Sequence, residues 1–249
     1  MSGHSKWATI KHKKGAQDKA RGKLFAKLIR QIEVAAREGG GDLNANATLR
    51  TMFQKARDAS VPIDTINRAI KRGTGELEGV RYEAVSYEGY APNGVAVIVE
   101  CLTDNRNRTS ADVRSAFSKN GGSIAEPGAV AWQFSRKGII TMSKKYEEDD
   151  LTMVALSSGA DDVVDQGDEW EIVCSPTDLA AVRGAFEDAG MECKSSELIL
   201  QSANSVPIDS EIEARKILKL IDALDDLDDV QNVYSNVDIS DSVLELLEN

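Results

Sequence analysis

The chain has 249 residues, 41% hydrophobic and 29% charged, a balance that suits a globular protein of two or three domains. Its formal net charge of -11 conceals a division: residues 1–75 hold 16 Lys and Arg against 6 Asp and Glu, and the remainder holds 14 against 35. No apolar run approaches the roughly 20 residues that cross a bilayer, and no apolar signal segment opens the chain.

The first stretch, "SGHSKWATIKHKKGAQDKARGKLFAKLIRQI", gathers both histidines, His4 and His12, around Trp7 and a run of lysines. Residues 23–38 then read as an amphipathic helix, with Leu24, Phe25, Leu28, Ile29, Ile32 and Ala35 on one side. Lys19, Lys23, Lys27, Arg30 and Arg37 fall on the other side. "GGGD" ends it, because successive glycines give up backbone entropy and permit left-handed turns. A second helix near 46–59 turns Leu49, Met52, Phe53 and Ala56 inward. A third follows "VPID", with Asp64 as its N-cap, Ile66, Ala69 and Ile70 inward, and an end at Gly73. Three apolar stripes of this kind make a small bundle.

After about residue 80 the period changes. "YEAVSYEGYAPNGVAVIVECLTD" reads as two strands around a Pro-Asn-Gly turn, and "GVAVIVE" is apolar enough for a central strand. "RTSADVRSAFSKNGG" forms a helix in which Thr109 and Asp112 stand as in a capping box, and "GAVAWQFS" reads as a strand. Residues 138–203 give strand, helix, strand, strand, helix, strand, the order of a ferredoxin-like unit. Within it Trp170, Ile172 and Cys174 alternate with polar positions, and Pro176 sits at the first position of a helix. The last segment supplies a helix and a strand that complete the 80–135 region.

The expected fold class is therefore α+β: a three-helix bundle followed by two α/β domains, one a ferredoxin-like βαββαβ unit inserted in the other. The boundaries expected are 1–78 for the basic helical domain, 79–137 plus 204–249 for the discontinuous domain, and 138–203 for the insertion.

Catalysis is not expected. Both histidines stand in the basic arm, away from any nucleophile of the acidic body, and "GTGELEG" lacks the spacing of a phosphate cradle. Runs such as "DDLDD" at 225–229 read as solvated faces. Three cysteines at wide spacing argue against a disulfide framework and a zinc site, and two histidines eight residues apart make a poor metal pair. A reduced cytoplasmic protein without cofactor or metal is expected, with no membrane partner.

Nucleic acid is the partner the charge points to, because clustered cations release condensed counterions from a polyanion. Lys6, Lys11, Lys13 and Lys14 surround Trp7, whose ring can stack on an unpaired base, and His12 can donate to phosphate. Lys23, Lys27 and Arg30 continue the charge along the first helix. A second candidate is "LTDNRNRTS", where Asn105, Arg106, Asn107 and Arg108 follow a strand and open a helix. The other reading of this loop is a polar turn whose asparagines satisfy local backbone.

Five stretches, "GHSKWATIKHKK", "RGKLFAKLIRQI", "VPIDTINRAIKRGTG", "YEGYAPNGVAVIVECLTDNRNRT" and "VRSAFSKNGG", closely resemble the YebC/PmpR family, which includes a mitochondrial translational activator of cytochrome oxidase. Gln31, where the family usually carries glutamate, and the turn "YAPNG" depart from the pattern without removing a cation. The resemblance implies the three domains above and no catalytic activity. It implies a DNA-binding transcriptional regulator, or else a ribosome-associated factor that binds ribosomal or transfer RNA and assists translation of proline-rich stretches. A monomer is expected.

Overall fold

The computed structural model describes residues 17–248, and side chains from Arg21 to Leu247. Its backbone is mixed α+β, with helices first and mainly antiparallel sheets after them. The chain divides into two compact units: one holds Val80–Ser135 and the chain from Gln201 onward, with residues 17–23, and the other holds Leu24–Gly79 and Arg136–Leu200. None of the described helices is long and apolar enough to cross a membrane.

Three helices open the described chain: α1 (Gln17–Gly39), α2 (Ala47–Asp58) and α3 (Ile63–Thr74). Their core is Leu28, Ile32, Ala35, Leu49, Ala56, Ile66 and Ala69. Leu24, read as part of this stripe, instead stays exposed. Asn46 ties the first two helices together. Its Oδ1 accepts from Leu49 N at 2.9 Å, capping α2, while its Nδ2 donates to Ala35 O and Gly40 O at 2.8 Å. Asp64 is not the N-cap of α3; Pro62 precedes the helix and Asp64 lies in its first turn. Gly73 does not end the helix either. It is buried within α3, where a Cβ would stand 2.5 Å from Glu33 O, and Gly75 makes the left-handed end at φ 84°.

The same unit contains the ferredoxin-like element. Its strands are β4 (Phe134–Ser143), β5 (Asp162–Asp165), β6 (Glu169–Cys174) and β7 (Cys193–Ser202), in the order β5-β6-β4-β7. Helices α5 (Glu148–Ser158) and α6 (Leu179–Asp188) complete it. Trp170, Ile172 and Cys174 all face inward, as their alternation requires, and meet Ile140, Met142, Leu151 and Phe186. Pro176 lies in the turn before α6, three residues ahead of it.

In the other unit β1 (Glu83–Tyr90), β2 (Ala96–Thr103), β3 (Ser123–Ala125) and β9 (Val230–Ser235) form a sheet ordered β3-β1-β2-β9, antiparallel throughout. α4 (Arg106–Lys119) and α7 (Glu211–Asp225) bury Phe117, Ile217 and Ile221 against Val97, Val99 and Val233. "GAVAWQFS" does not run as one strand. Ala131–Gln133 is a short 3-10 turn that leaves Trp132 72% exposed, and the strand begins at Phe134. The Glu88 carboxylate fixes this turn by accepting from the N–H groups of Gly128, Val130 and Ala131 at 2.6, 2.8 and 2.8 Å. Four elements have no counterpart among the expected ones: β3, β8 (Val206–Ile208) and β10 (Val237–Ile239), which form a short parallel pair, and α8 (Asp241–Glu248).

Candidate nucleic-acid interface

Lys6, Trp7, Lys11, His12, Lys13 and Lys14 lie outside the described residues. The described part of the basic surface begins on α1. Lys23, Lys27 and Arg30 recur at spacings of four and three, so they project from one side of the helix. All three are half-buried. Lys23 already has an acidic partner within its unit: Nζ donates to Asp226 Oδ1 at 2.7 Å and to Asp226 O at 3.2 Å. The Asp226 side chain is 76% exposed, and a pair of this kind contributes well under about 1 kcal/mol, so phosphate can replace it.

The other helices sort their cations into two sets. Arg72 pairs with Glu33, a carboxylate only 4% exposed, and Lys55 Nζ donates to Glu197 Oε2 at 2.7 Å. Those two charges hold the fold. Arg50 and Arg57 on α2 and Arg68 and Lys71 on α3 are exposed, and none has a carboxylate partner among the described residues. Arg68 Nε donates to Asp64 O of its own helix, at 3.3 Å. These four are not among the candidates named from the sequence. Their signal was present in the spacing, since seven residues separate Arg50 from Arg57 and three separate Arg68 from Lys71, each returning to one side of a helix.

The loop at Asn105–Arg108 is organised differently from its anion-site reading. Asn105 is the N-cap of α4, and its Oδ1 accepts from Arg108 N at 3.1 Å. Thr109, read as the cap, is instead a buried residue one turn into the helix. Arg108 Nη2 donates to Asp229 Oδ2 at 2.7 Å and to Asp104 Oδ1 at 2.8 Å. The Thr109 and Thr103 hydroxyls approach the same Asp229 oxygen at 2.7 and 3.1 Å. Burial pushes the Asp229 carboxyl up, but Arg108 and the two hydroxyls outweigh it, and the group lies below the usual carboxylate range. Arg108 and Asn105 thus shape the loop, while Arg106 and Asn107 direct exposed side chains from the first turn. No spacing rule could show this. Asp229 enters the cluster from 120 residues away.

Two family models match the chain. The model described as the TACO1/YebC protein N-terminal domain matches residues 5–76, and that of the TACO1/YebC second and third domain matches residues 82–237. A "Probable transcriptional regulatory protein" of Corynebacterium glutamicum is 56% identical over all of both chains. One of the same description from Nocardia farcinica is 57% identical over all of this chain and 99% of its own. Among solved structures, a conserved hypothetical protein from Aquifex aeolicus superposes with a TM-score of 0.86 at 44% identity, covering 94% of this chain and 97% of its own.

Proposed function

The chain belongs to the TACO1/YebC family, and on that premise we propose that it is a non-enzymatic, nucleic-acid-binding regulator of gene expression that acts on DNA. One observation carries the reading. In a chain of net charge -11, α2 and α3 hold exposed Arg50, Arg57, Arg68 and Lys71 without carboxylate partners among the described residues, although acids are abundant elsewhere. Cations held apart from acids are available to phosphate, and their gain is the release of counterions. The acidic remainder, taken as a whole, disfavours phosphate and so weights a polyanion toward the basic part of the chain. Relatives described as probable transcriptional regulatory proteins support the same reading.

The test is titration of duplex DNA across a range of salt. With about six phosphates contacted, log affinity falls against log salt with a slope near −5. Binding that ignores salt, or no binding, sinks the reading.

A second reading, a ribosome-associated RNA-binding factor, has one observation in its favour. The Trp132 ring is exposed yet held, its Nε1 donating to Ala129 O at 3.1 Å and its turn fastened by Glu88. An aromatic face of this kind stacks on unpaired bases, which duplex DNA does not offer. In-cell crosslinking with sequencing of both bound RNA and bound DNA separates the two: discrete promoter sites support the first reading, and ribosomal RNA supports the second.

A further inference from the structure

A cleft of about 440 Å³ lies within the Val80–Ser135 and C-terminal unit, between the end of α4, the turn joining β1 to β2, and α7. Pro92, Lys119, Asn120, Gly121, Lys216 and Lys219 line it. This part of the chain is strongly acidic, so three lysines about one cleft are unexpected. All three are exposed, and none has a carboxylate partner among the described residues.

Other lysines of the acidic remainder behave differently. Lys137, Lys144, Lys145 and Lys194 each pair with Asp or Glu. On α7 itself Arg215 pairs with Glu211 at 2.8 Å. Lys216 and Lys219 follow directly and stand three residues apart, a spacing that makes like charges neighbours on a helix and destabilises it. An anion in the cleft would remove that repulsion. Gly121, at φ 78°, turns the chain without a side chain that would cover the Pro92 ring.

We propose that this cleft is a second phosphate-binding site, occupied by nucleic-acid backbone; the proposal rests on the nucleic-acid reading above. Lysine ammonium groups are point charges that suit phosphate, and the cleft holds no guanidinium fork to pair a carboxylate in bidentate fashion. The volume falls in the range of sites that hold small organic ligands, so it admits a nucleotide-sized segment, and it is open enough for a strand to continue past it. Pro92 offers the apolar surface on which a sugar can rest.

The test uses the full chain and fluorescence anisotropy with labelled duplex DNA and labelled single-stranded RNA, between about 50 and 200 mM salt. Three variants are compared with the natural protein: the triple Lys119→Gln/Lys216→Gln/Lys219→Gln, the corresponding triple Lys→Arg, and Arg50→Gln/Arg57→Gln. The glutamine triple is expected to make the salt slope shallower by roughly 2–3 and to weaken low-salt binding at least about tenfold. The arginine triple is expected to keep both, which separates lost charge from a disturbed fold.

A glutamine triple with unchanged affinity and slope, beside an Arg50/Arg57 variant that binds more weakly, overturns the cleft and leaves the proposed function standing. No salt-dependent binding by the natural protein overturns the proposed function, and the cleft assignment with it. Labelled poly-glutamate that binds the natural protein but not the glutamine triple, with nucleic-acid binding unchanged, overturns the proposal in favour of an acidic peptide.

Discussion

Arg183 Nη1 and Asp58 Oδ2 lie 2.8 Å apart although 125 residues separate them in the chain. Both side chains are nearly buried, at 11% and 14% exposure. The guanidinium also donates to Ser196 Oγ and to Glu187 Oε1, each at 2.8 Å. Burial works against its charge, but the bonds to Asp58 and Glu187 prevail and its proton affinity is raised above the ordinary arginine value. The pair fastens the end of α2 to α6 and β7 inside one unit.

Removing one member leaves the other charged and unpaired away from water. Asp58→Ala should therefore cost about 3 kcal/mol in urea unfolding. The double variant Asp58→Ala/Arg183→Leu should recover part of that loss, because the orphaned charge is gone. A double variant less stable than the sum of its single changes contradicts the account.

Acid should weaken the fold through two carboxylates. Asp229 and Glu88 are both held below the usual carboxylate range; in each, burial pushes upward and is outweighed by hydrogen bonds, those of Glu88 coming from three backbone N–H groups. A depressed folded value contributes stability that is present above the unfolded value, near 4, and lost as pH falls through the folded value. Asp229→Asn and Glu88→Gln should each flatten the stability profile below about pH 4 while lowering stability at neutral pH. Unchanged acid profiles would count against both assignments.

Two glycines should respond to alanine with opposite signs. At Gly73 a Cβ meets Glu33 O at 2.5 Å and Ala36 Cβ at 2.7 Å, so Gly73→Ala forces α1 and α3 apart and should cost about 1–3 kcal/mol. At Gly184 within α6 a Cβ meets nothing within 4 Å, so Gly184→Ala should add about 0.5–1 kcal/mol. Thermal melts of the two single variants decide both.

Cys101, Cys174 and Cys193 are buried and outside any disulfide, and burial pushes the thiols of Cys174 and Cys193 up to about 11. Near pH 8 only about one in a thousand of either is thiolate. A thiol reagent at pH 8 should label the folded protein slowly and the urea-unfolded protein at once. Rapid labelling without denaturant would show the cores to be open.

Much of the fold was legible because its signals are local. The alternation of Trp170, Ile172 and Cys174 marked an inward strand face, and the apolar run "GVAVIVE" marked the central β2. Local reading failed where distant partners decide. "GAVAWQFS" has the composition of a strand, yet Glu88, some 40 residues earlier, holds its first half in a turn. The three-residue strands β3, β8 and β10 are too short to carry a period. The candidate interface divided in the same way. A count of cations showed which part of the chain is basic, but Glu33, Asp226 and Asp229 decide which cations have internal work, and spacing does not bring those acids into view.

The β3-β1-β2-β9 sheet also sets a schedule for synthesis. Glu100 and Asn232 face each other across β2 and β9 with 132 residues between them. At about 5–20 residues per second, β2 leaves the ribosome roughly 7–26 s before the strand that covers its edge. Helix α7, whose Ile217 and Ile221 close one face of that sheet, arrives almost as late. The β5-β6-β4-β7 sheet is complete by residue 202. It can therefore close while the apolar strand "AVIVECLT" still waits with an open edge, and that interval is when the nascent chain most needs shielding from its neighbours.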